Sequence, residues 1–429
     1  MKRIVLCVCV GVILFQLVFM CTLHYFYSGA ITRIVPATLR NSTTSPRECW
    51  PTTTFCGDIL SEPSWIAIDH RNSKFVFSAF YDPVSNIIII VGLNSRFNGG
   101  VCQIWYTSDN MTFLAKEESG IELYRTLPET HGRRYSAVLY RCTSKSKKKP
   151  AFISFVETDR FISKGLLVKS IEIPKRYKHR FTVCLMPLHN NFNDSYALVQ
   201  WIELNLILGA DKFRVYNHSS SQSIKTILDM YSGRNITEVV QWSIPVTDVH
   251  YFGQVAALQD CLYQNKADSE FIVNLDLDEY IVPRVEHIDT WSDLIANSPA
   301  EAFLFRNTFF VANSREHNYS EKAIAQQLRL STLLMTRHEP KIWSHTLRSK
   351  YIARTSKARS LMIHDVPWDA IGVQAERVQS DRAMVFHFQH AASEPNNGTT
   401  YIIDETVRKK YGEMLIRNVQ RAWNRILRG

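Results

Sequence analysis

The stretch FIVNLDLDEYIVP, from Phe271 to Pro283, places Asp276, Asp278 and Glu279 within four positions between two apolar, strand-like runs. An ionised carboxylate removed from water costs several kcal/mol unless a positive partner meets it. Asp276 and Asp278 are two apart, so at a turning strand end both reach one cation. Hard oxygen ligands of this kind suit Mn2+ or Mg2+, which bridges protein carboxylates to substrate phosphates. Such a metal acts as a Lewis acid, stabilising a diphosphate as it leaves. A bare D-x-D triplet is more often a turn or helix cap. Its position after a buried strand favours the metal.

The surrounding elements decide where that strand end lies. From 179 onward, strand and helix patterns alternate. FTVCLMPLH is a continuous apolar strand, and SYALVQWIELNLILGA carries Val199, Ile202 and Leu206 at helical spacing before Gly209. KFRVYNHS is a second strand, SIKTILDMYSG a second helix and ITEVVQWSIP a third strand. GQVAALQDCLYQNK then presents Val255, Leu258 and Leu262 on one helical face before the acidic strand. This alternation predicts a mainly parallel sheet buried on both faces, with ligands beyond the carboxyl ends of its strands. Before it, residues 63–175 read as short strands separated by turns, a small β-rich domain. Residues 28–62 are rich in Thr, Ser and Pro and read as a stem. Residues 396–429 read as a C-terminal helical segment.

Length and composition bound the class. The 429 residues, 45% hydrophobic and 21% charged, suffice for two or three domains and exclude wholesale disorder. The formal net charge of +10 is scattered, and its densest run, KSKKKP at 145–150, reads as a solvated loop, not a nucleic-acid surface. A basic surface also suits a protein that handles anionic nucleotides. Lys2 and Arg3 precede an uncharged apolar run, residues 4–27, long enough to span a bilayer. The leading positive charge predicts a signal anchor with residues 1–3 in the cytosol and the body in the lumen. A cleaved signal peptide is the competing reading, with a shorter apolar core expected. Seven N-x-Ser/Thr sequons, at Asn41, Asn110, Asn193, Asn217, Asn235, Asn318 and Asn397, favour a lumenal body. Beyond the anchor, Cys49, Cys56, Cys102, Cys142, Cys184 and Cys261 form an even set without zinc-site spacing, which predicts disulfides of open connectivity.

The order and spacing of VCLMPLHN, LGADKFRVYNHSS, HYFGQVAALQDCLYQ, FIVNLDLDEYIVP, RSKYIARTSKARSLMIHDV and MVFHFQHA resemble glycosyltransferase family 92 over about residues 180–390. The resemblance implies a GT-A-like, Rossmann-like α/β catalytic domain at 176–395. It implies transfer of a hexose, usually galactose from UDP-galactose, onto a glycan acceptor with inversion to a β-linkage. It makes Asp276 and Asp278 the ligands of Mn2+ or Mg2+, with His364 as the third ligand and His387 as the reserve. Pro187, His189 and Asn217 fall where the donor nucleotide would lie. Gln254 would contact the donor or simply pack at its helix start. Lys350 and Arg354 offer cations near the diphosphate. Where the family usually has a tyrosine and an arginine after the second histidine, this chain has Phe388 and Gln389.

Inversion requires a general base for the acceptor hydroxyl. Glu316 and Glu321 lie in the segment on the expected acceptor side, and Asp365 is a further candidate; Glu316 is the catalytic assignment beside Asp278. The competing reading is a catalytically silent glycan-binding or adhesion ectodomain on the same fold. A calcium-binding ectodomain is weaker, since no Gly-bearing calcium loop surrounds the acidic cluster. G-x-S-x-G and H-E-x-x-H hydrolase motifs are absent. Together these readings predict a single-pass type II Golgi protein. Replacing residues 1–30 with a cleavable signal should then yield a secreted chain whose mobility shifts on N-glycan removal. Protease access to the full-length body from the cytosol would overturn the topology.

Overall fold

The computed structural model describes residues 58–428 apart from 97–98, 108–112, 128, 158–159, 313–318, 368–373 and 389–399. The expected anchor lies outside them, as do Cys49, Cys56, Glu316 and Gln389. Among the described residues no helix is long and apolar enough to cross a membrane. Three sheets organise the described residues.

The first is a ten-stranded sheet that begins at Asp58–Leu60, inside the expected stem, and runs to Arg160–Ser170. Its neighbours are antiparallel along the main path, except where Val168–Ser170 lie parallel to Ala79–Tyr81. A Cys102–Cys142 disulfide joins two of its strands. The basic run at 145–150 is a largely exposed loop.

The second sheet has seven strands. Thr237–Gln241, Lys212–Asn217, His179–Leu188 and Ser269–Leu275 are parallel neighbours in that order. Lys350–Arg354, antiparallel to Ser269–Leu275, follows, and Ala302–Phe305 and Ala375–Arg377 complete it. The helices fall where the apolar spacing puts them, at Ser195–Leu208, Gln222–Gly233 and Gln254–Asn265. Asp194 caps the first through the Ala197 amide, and Gly209 ends it in the left-handed conformation (φ 116°) that a side chain would resist. The C-terminal helix Thr406–Ile426 buries Val407, Tyr411, Leu415 and Val419 in the same core as this helix. A third sheet carries Glu279–Pro283, Ala383–Phe388 and Asn307–Val311 as its first three strands.

The β-rich sheet and the α/β sheet share one core. Phe75, Phe77 and Phe80 pack with Trp242, Leu258 and Ile272, and all described residues fall in one compact unit. A buried polar cluster crosses the same boundary. Asp260, wholly buried, accepts hydrogen bonds from Ser78 Oγ (2.6 Å) and Tyr216 OH (2.6 Å) and pairs with Arg214 Nη2 at 3.0 Å. The Cys184–Cys261 disulfide ties the adjacent helix residue to the central strand.

Burial corrects one sequon. Asn217 ends its strand with 6% of its surface exposed, so its side chain is closed to glycosylation in the folded chain. Asn193 and Asn235 are exposed, and the other four lie outside the described residues.

The Asp260 cluster generates a stability expectation. Asp260→Ala leaves the buried Arg214 with Glu238 as its remaining carboxylate partner and should destabilise the chain by about 3 kcal/mol. Ser78→Ala removes one hydrogen bond and should cost about 1 kcal/mol. Chemical denaturation of the two variants checks the ranking.

Candidate active site

The D-x-D sits in the turn joining the second sheet to the third. Ser269–Leu275 ends in the second sheet, Glu279–Pro283 begins in the third, and the Glu279 amide donates to the Asp276 carbonyl at 3.1 Å. Trp201 Nε1 also donates to that carbonyl at 2.8 Å, anchoring the turn to the helix behind it. Two cations meet the three carboxylates. Lys350 Nζ lies 2.8 Å from Asp276 and 3.2 Å from Glu279. His387 places Nε2 at 3.1 Å from Asp278 and Nδ1 at 3.2 Å from Glu279. The result is an alternating chain: Asp276, Lys350, Glu279, His387, Asp278.

Burial is graded along it. Lys350 is fully buried and Glu279 is 2% exposed, while Asp276 and Asp278 keep 23% and 34% of their side chains open. Burial alone would neutralise Lys350, yet Asp276 and Glu279 outweigh it and hold the ammonium well above the usual lysine range. Burial likewise opposes a charged His387, but the Asp278 and Glu279 carboxylates push the ring up to about 10. Desolvation would raise Glu279; Lys350 and His387 together bring it below its ordinary value. His364 behaves oppositely. Burial, and then the nearby Lys350, lower it, so the ring is neutral, with Nδ1 3.2 Å from the Ser349 carbonyl.

These groups border a cleft of about 590 Å³. Of the residues expected there, Pro187, His189, Gln254, Asp276, Asp278, His364 and His387 all line it. Gln254 is buried, and its amide donates to Asp276 Oδ1 at 3.3 Å, so it orients that carboxylate. Lys350 lies behind the lining, bound to carboxylates. Arg354 is not at the site; it pairs with Glu270 at 2.8 Å near the start of the acidic strand. Asn217 lies beside the lining: it pairs in register with Leu188, and His218 N donates to Leu188 O. His189 Nδ1, Asn217 Oδ1 and His218 Nδ1 are buried without a partner among the described residues. Glu321 is exposed outside the cleft lining. Asp365 is part-buried, its Oδ1 on the Val366 amide, and burial raises it.

Sequence reasoning missed three contributors. Arg348 lines the cleft, is exposed, and pairs with no acid among the described residues, its guanidinium lying 4.7 Å from the Trp343 ring. The R-S-K spacing beside Lys350 was the available signal. His250 and Tyr251 line the opposite wall, where Tyr251, Phe252 and Gly253 adopt left-handed backbone in succession (φ 38°, 52° and 76°). At Gly253 the positive φ would strain a side chain, and a Cβ would meet Ile244 Cδ1 at 2.5 Å, so glycine is favoured there. Trp242 Nε1 holds the turn through the Phe252 carbonyl at 2.7 Å, and His189 stacks on Phe252 at 4.5 Å.

Among the described residues no three His, Cys, Asp or Glu side chains are grouped to hold a metal ion by themselves. The donor set nevertheless fits a divalent cation that shares its shell with phosphate. Asp276 and Asp278 present hard oxygens at the cleft, and Asp278 Oδ1 has no hydrogen-bond or ion-pair partner among the described residues. His364 is the neutral imidazole beside them. His387 has both nitrogens on carboxylates, and those carboxylates favour its charged form, so in the metal-free chain it is their counter-ion.

A family model described as Glycosyltransferase family 92 matches residues 179–426, more than half of the chain. The beta-1,4-galactosyltransferase galt-1 of Caenorhabditis elegans is 26% identical over 171 residues, covering 38% of this chain and 40% of that one. The glycosyltransferase family 92 protein F13G3.3 of the same organism is 25% identical over 225 residues, covering 48% and 42%. The chain thus spans about two fifths of the length of either relative. Among solved structures, S. aureus TarS 1–349 in complex with UDP-GlcNAc is 15% identical, covers 57% of this chain and 66% of its own, and has a TM-score of 0.29.

The charged His387 yields a pH expectation. Its folded value lies above the ordinary one near 6.5, so its stabilisation is complete below about 6.5 and is lost as pH rises through about 10. In EDTA, the stability gap between the natural chain and His387→Gln should be widest near pH 6 and should close above about pH 10. Denaturation across that window checks it; a constant gap would mean a neutral ring.

Proposed function

The chain belongs to glycosyltransferase family 92, and from that premise we propose that it transfers galactose from UDP-galactose to a glycan acceptor with inversion at the anomeric carbon. The observation that carries the reading is the pair Asp276 and Asp278, held at the cleft surface by contacts with Lys350 and His387. Support for galactose comes from the name of one relative, a beta-1,4-galactosyltransferase. The four-stranded parallel array, with the ends of His179–Leu188 and Ser269–Leu275 at the cleft, supports a GT-A-like arrangement, in which the donor lies beyond the strand ends.

Pro187 and His189, with Asn217 and His218 behind them, would hold the nucleotide, and their unpartnered polar atoms are the acceptors and donors it needs. Asp276, Asp278 and His364 would hold Mn2+ or Mg2+, whose chemistry is to neutralise the diphosphate oxygens as they take up charge. Arg348 offers those oxygens a further cation. The acceptor oxygen attacks the anomeric carbon as the bond from that carbon to the diphosphate oxygen breaks. UDP departs, and the hydroxyl proton passes to a base, a role proposed for Glu316. The anchor run at 4–27 and the accessible sequons support a type II Golgi setting. The silent-lectin reading leaves the free Asp278 oxygen without a task.

UDP release from UDP-galactose in a Mn2+ titration tests the reading. Asp276→Asn or Asp278→Asn should lower turnover about 10²–10³-fold, the effect of losing about 3–4 kcal/mol of placed electrostatic stabilisation. His364→Ala should shift the Mn2+ titration, while His387→Ala should act mainly on stability. Near-normal, metal-independent turnover in both Asp variants would sink the assignment.

A further inference from the structure

One loop of the ten-stranded sheet leaves that sheet's own business and reaches both edges of the cleft. Residues Glu129–Tyr135 link the strands Glu122–Thr126 and Ser136–Thr143 and lie outside the segment matched by the family model. At one edge Glu129 Oε2 accepts the Ile363 amide at 2.7 Å, one residue before His364. At the other edge the His131 ring stacks on His250 at 3.7 Å and 23°, and His131 itself lines the cleft. The loop is pinned beneath that contact. Tyr135 N donates to Asp248 O at 3.0 Å, Tyr135 bridges Val249, and Arg133 approaches Asp248 at 3.9 Å.

His250 opens the turn that continues through left-handed Tyr251, Phe252 and Gly253 into Gln254. Non-glycine residues held there cost about 1–3 kcal/mol each and persist only where their surroundings over-determine them. His131 is one of those surroundings, and Gln254 at the end of the turn orients Asp276. Ile363 and His364 line the cleft from the opposite side. Two cleft walls, distant from each other in sequence, thus take their position from the same seven residues.

We propose that Glu129–Tyr135 is a positioning element of the nucleotide-sugar cleft, Glu129 setting the His364 segment and His131 bracing the turn before Gln254. The proposal rests on the donor reading above and makes the β-rich sheet a working part of the site. Glu129 acts as an acceptor, so Glu129→Gln, which keeps an acceptor oxygen, restores what Glu129→Ala loses.

Four variants of the full chain test it: Glu129→Ala, Glu129→Gln, His131→Ala and, as an exposed control in another loop of the same sheet, Lys147→Ala. Hydrogen–deuterium exchange reads the walls directly, and calorimetry with UDP and Mn2+ reads the cleft. Glu129→Ala should speed exchange in peptides covering 361–366, and His131→Ala in those covering 250–256. Each should weaken UDP binding by about threefold to tenfold, the cost of one lost hydrogen bond or stacking contact. Glu129→Gln and Lys147→Ala should stay within about twofold of the natural chain. Unchanged exchange in both wall peptides overturns the proposal, and so does altered exchange with unaltered UDP affinity. A natural chain that binds no UDP would overturn the donor reading instead, and the exchange measurement would then decide the bracing role alone. His131 is exposed, so His131→Ala keeps the test open should Glu129→Ala fail to fold.

Discussion

The site depends on one electrostatic constraint: Lys350 is buried without exposed surface, and Asp276 and Glu279 make that possible. An ammonium in the core without carboxylate partners would lose its proton or open the fold. The dependence runs the other way as well. Glu279, at 2% exposure, stays ionised because Lys350 and His387 flank it. Removing any inner member takes one of two partners from a buried charge, so stability and charge placement at this site are linked.

The network in turn fixes how the two sheets meet. Asn274 pairs with Tyr351 in the second sheet, which sets Lys350 beside the turn that follows Leu275. Glu279 pairs with His387 in the third sheet, so their side chains meet across neighbouring strands. Asp276–Asp278 is the link between the sheets, and the Phe388 amide donates to the Asp278 carbonyl at 2.8 Å to close it. A one-residue slip in either ladder would turn a charged member to the opposite face. Register is therefore held at the hinge by charge as well as by apolar packing.

The strands and helices from 179 to 275 were legible because buried parallel strands read as unbroken apolar runs and the helices alternate with them, the first ending at Gly209. The acidic triplet was legible as a site for the same reason: its position at such a strand end. The roles of Lys350 and Arg354 were not. Both begin or end one short strand, and only its antiparallel register shows that Lys350 meets the turn while Arg354 meets Glu270. Asn217 carried two readings, a sequon and a nucleotide contact, and burial removes the first. His131 had no local signal at all. Its place depends on a contact with His250 across more than a hundred residues, which neither periodicity nor spacing encodes.

Charge balance carries the argument one step further. Three carboxylates against Lys350 and His387 leave one negative charge, and it resides on the more open members, Asp276 and Asp278. Arg348 at the rim is matched by Asp194 on the same lining, so the cleft formed by the chain alone stays about one charge negative. A diphosphate is at least doubly negative and gains nothing from such a cleft. A divalent cation at Asp276 and Asp278, as proposed, would change that balance by two charges and turn the cleft attractive. The buried cations then have a purpose beyond holding the fold. They hold the two outer carboxylates in place, with an acceptor oxygen free on Asp278, while the chain alone keeps too little positive charge at the cleft to bind a diphosphate unaided.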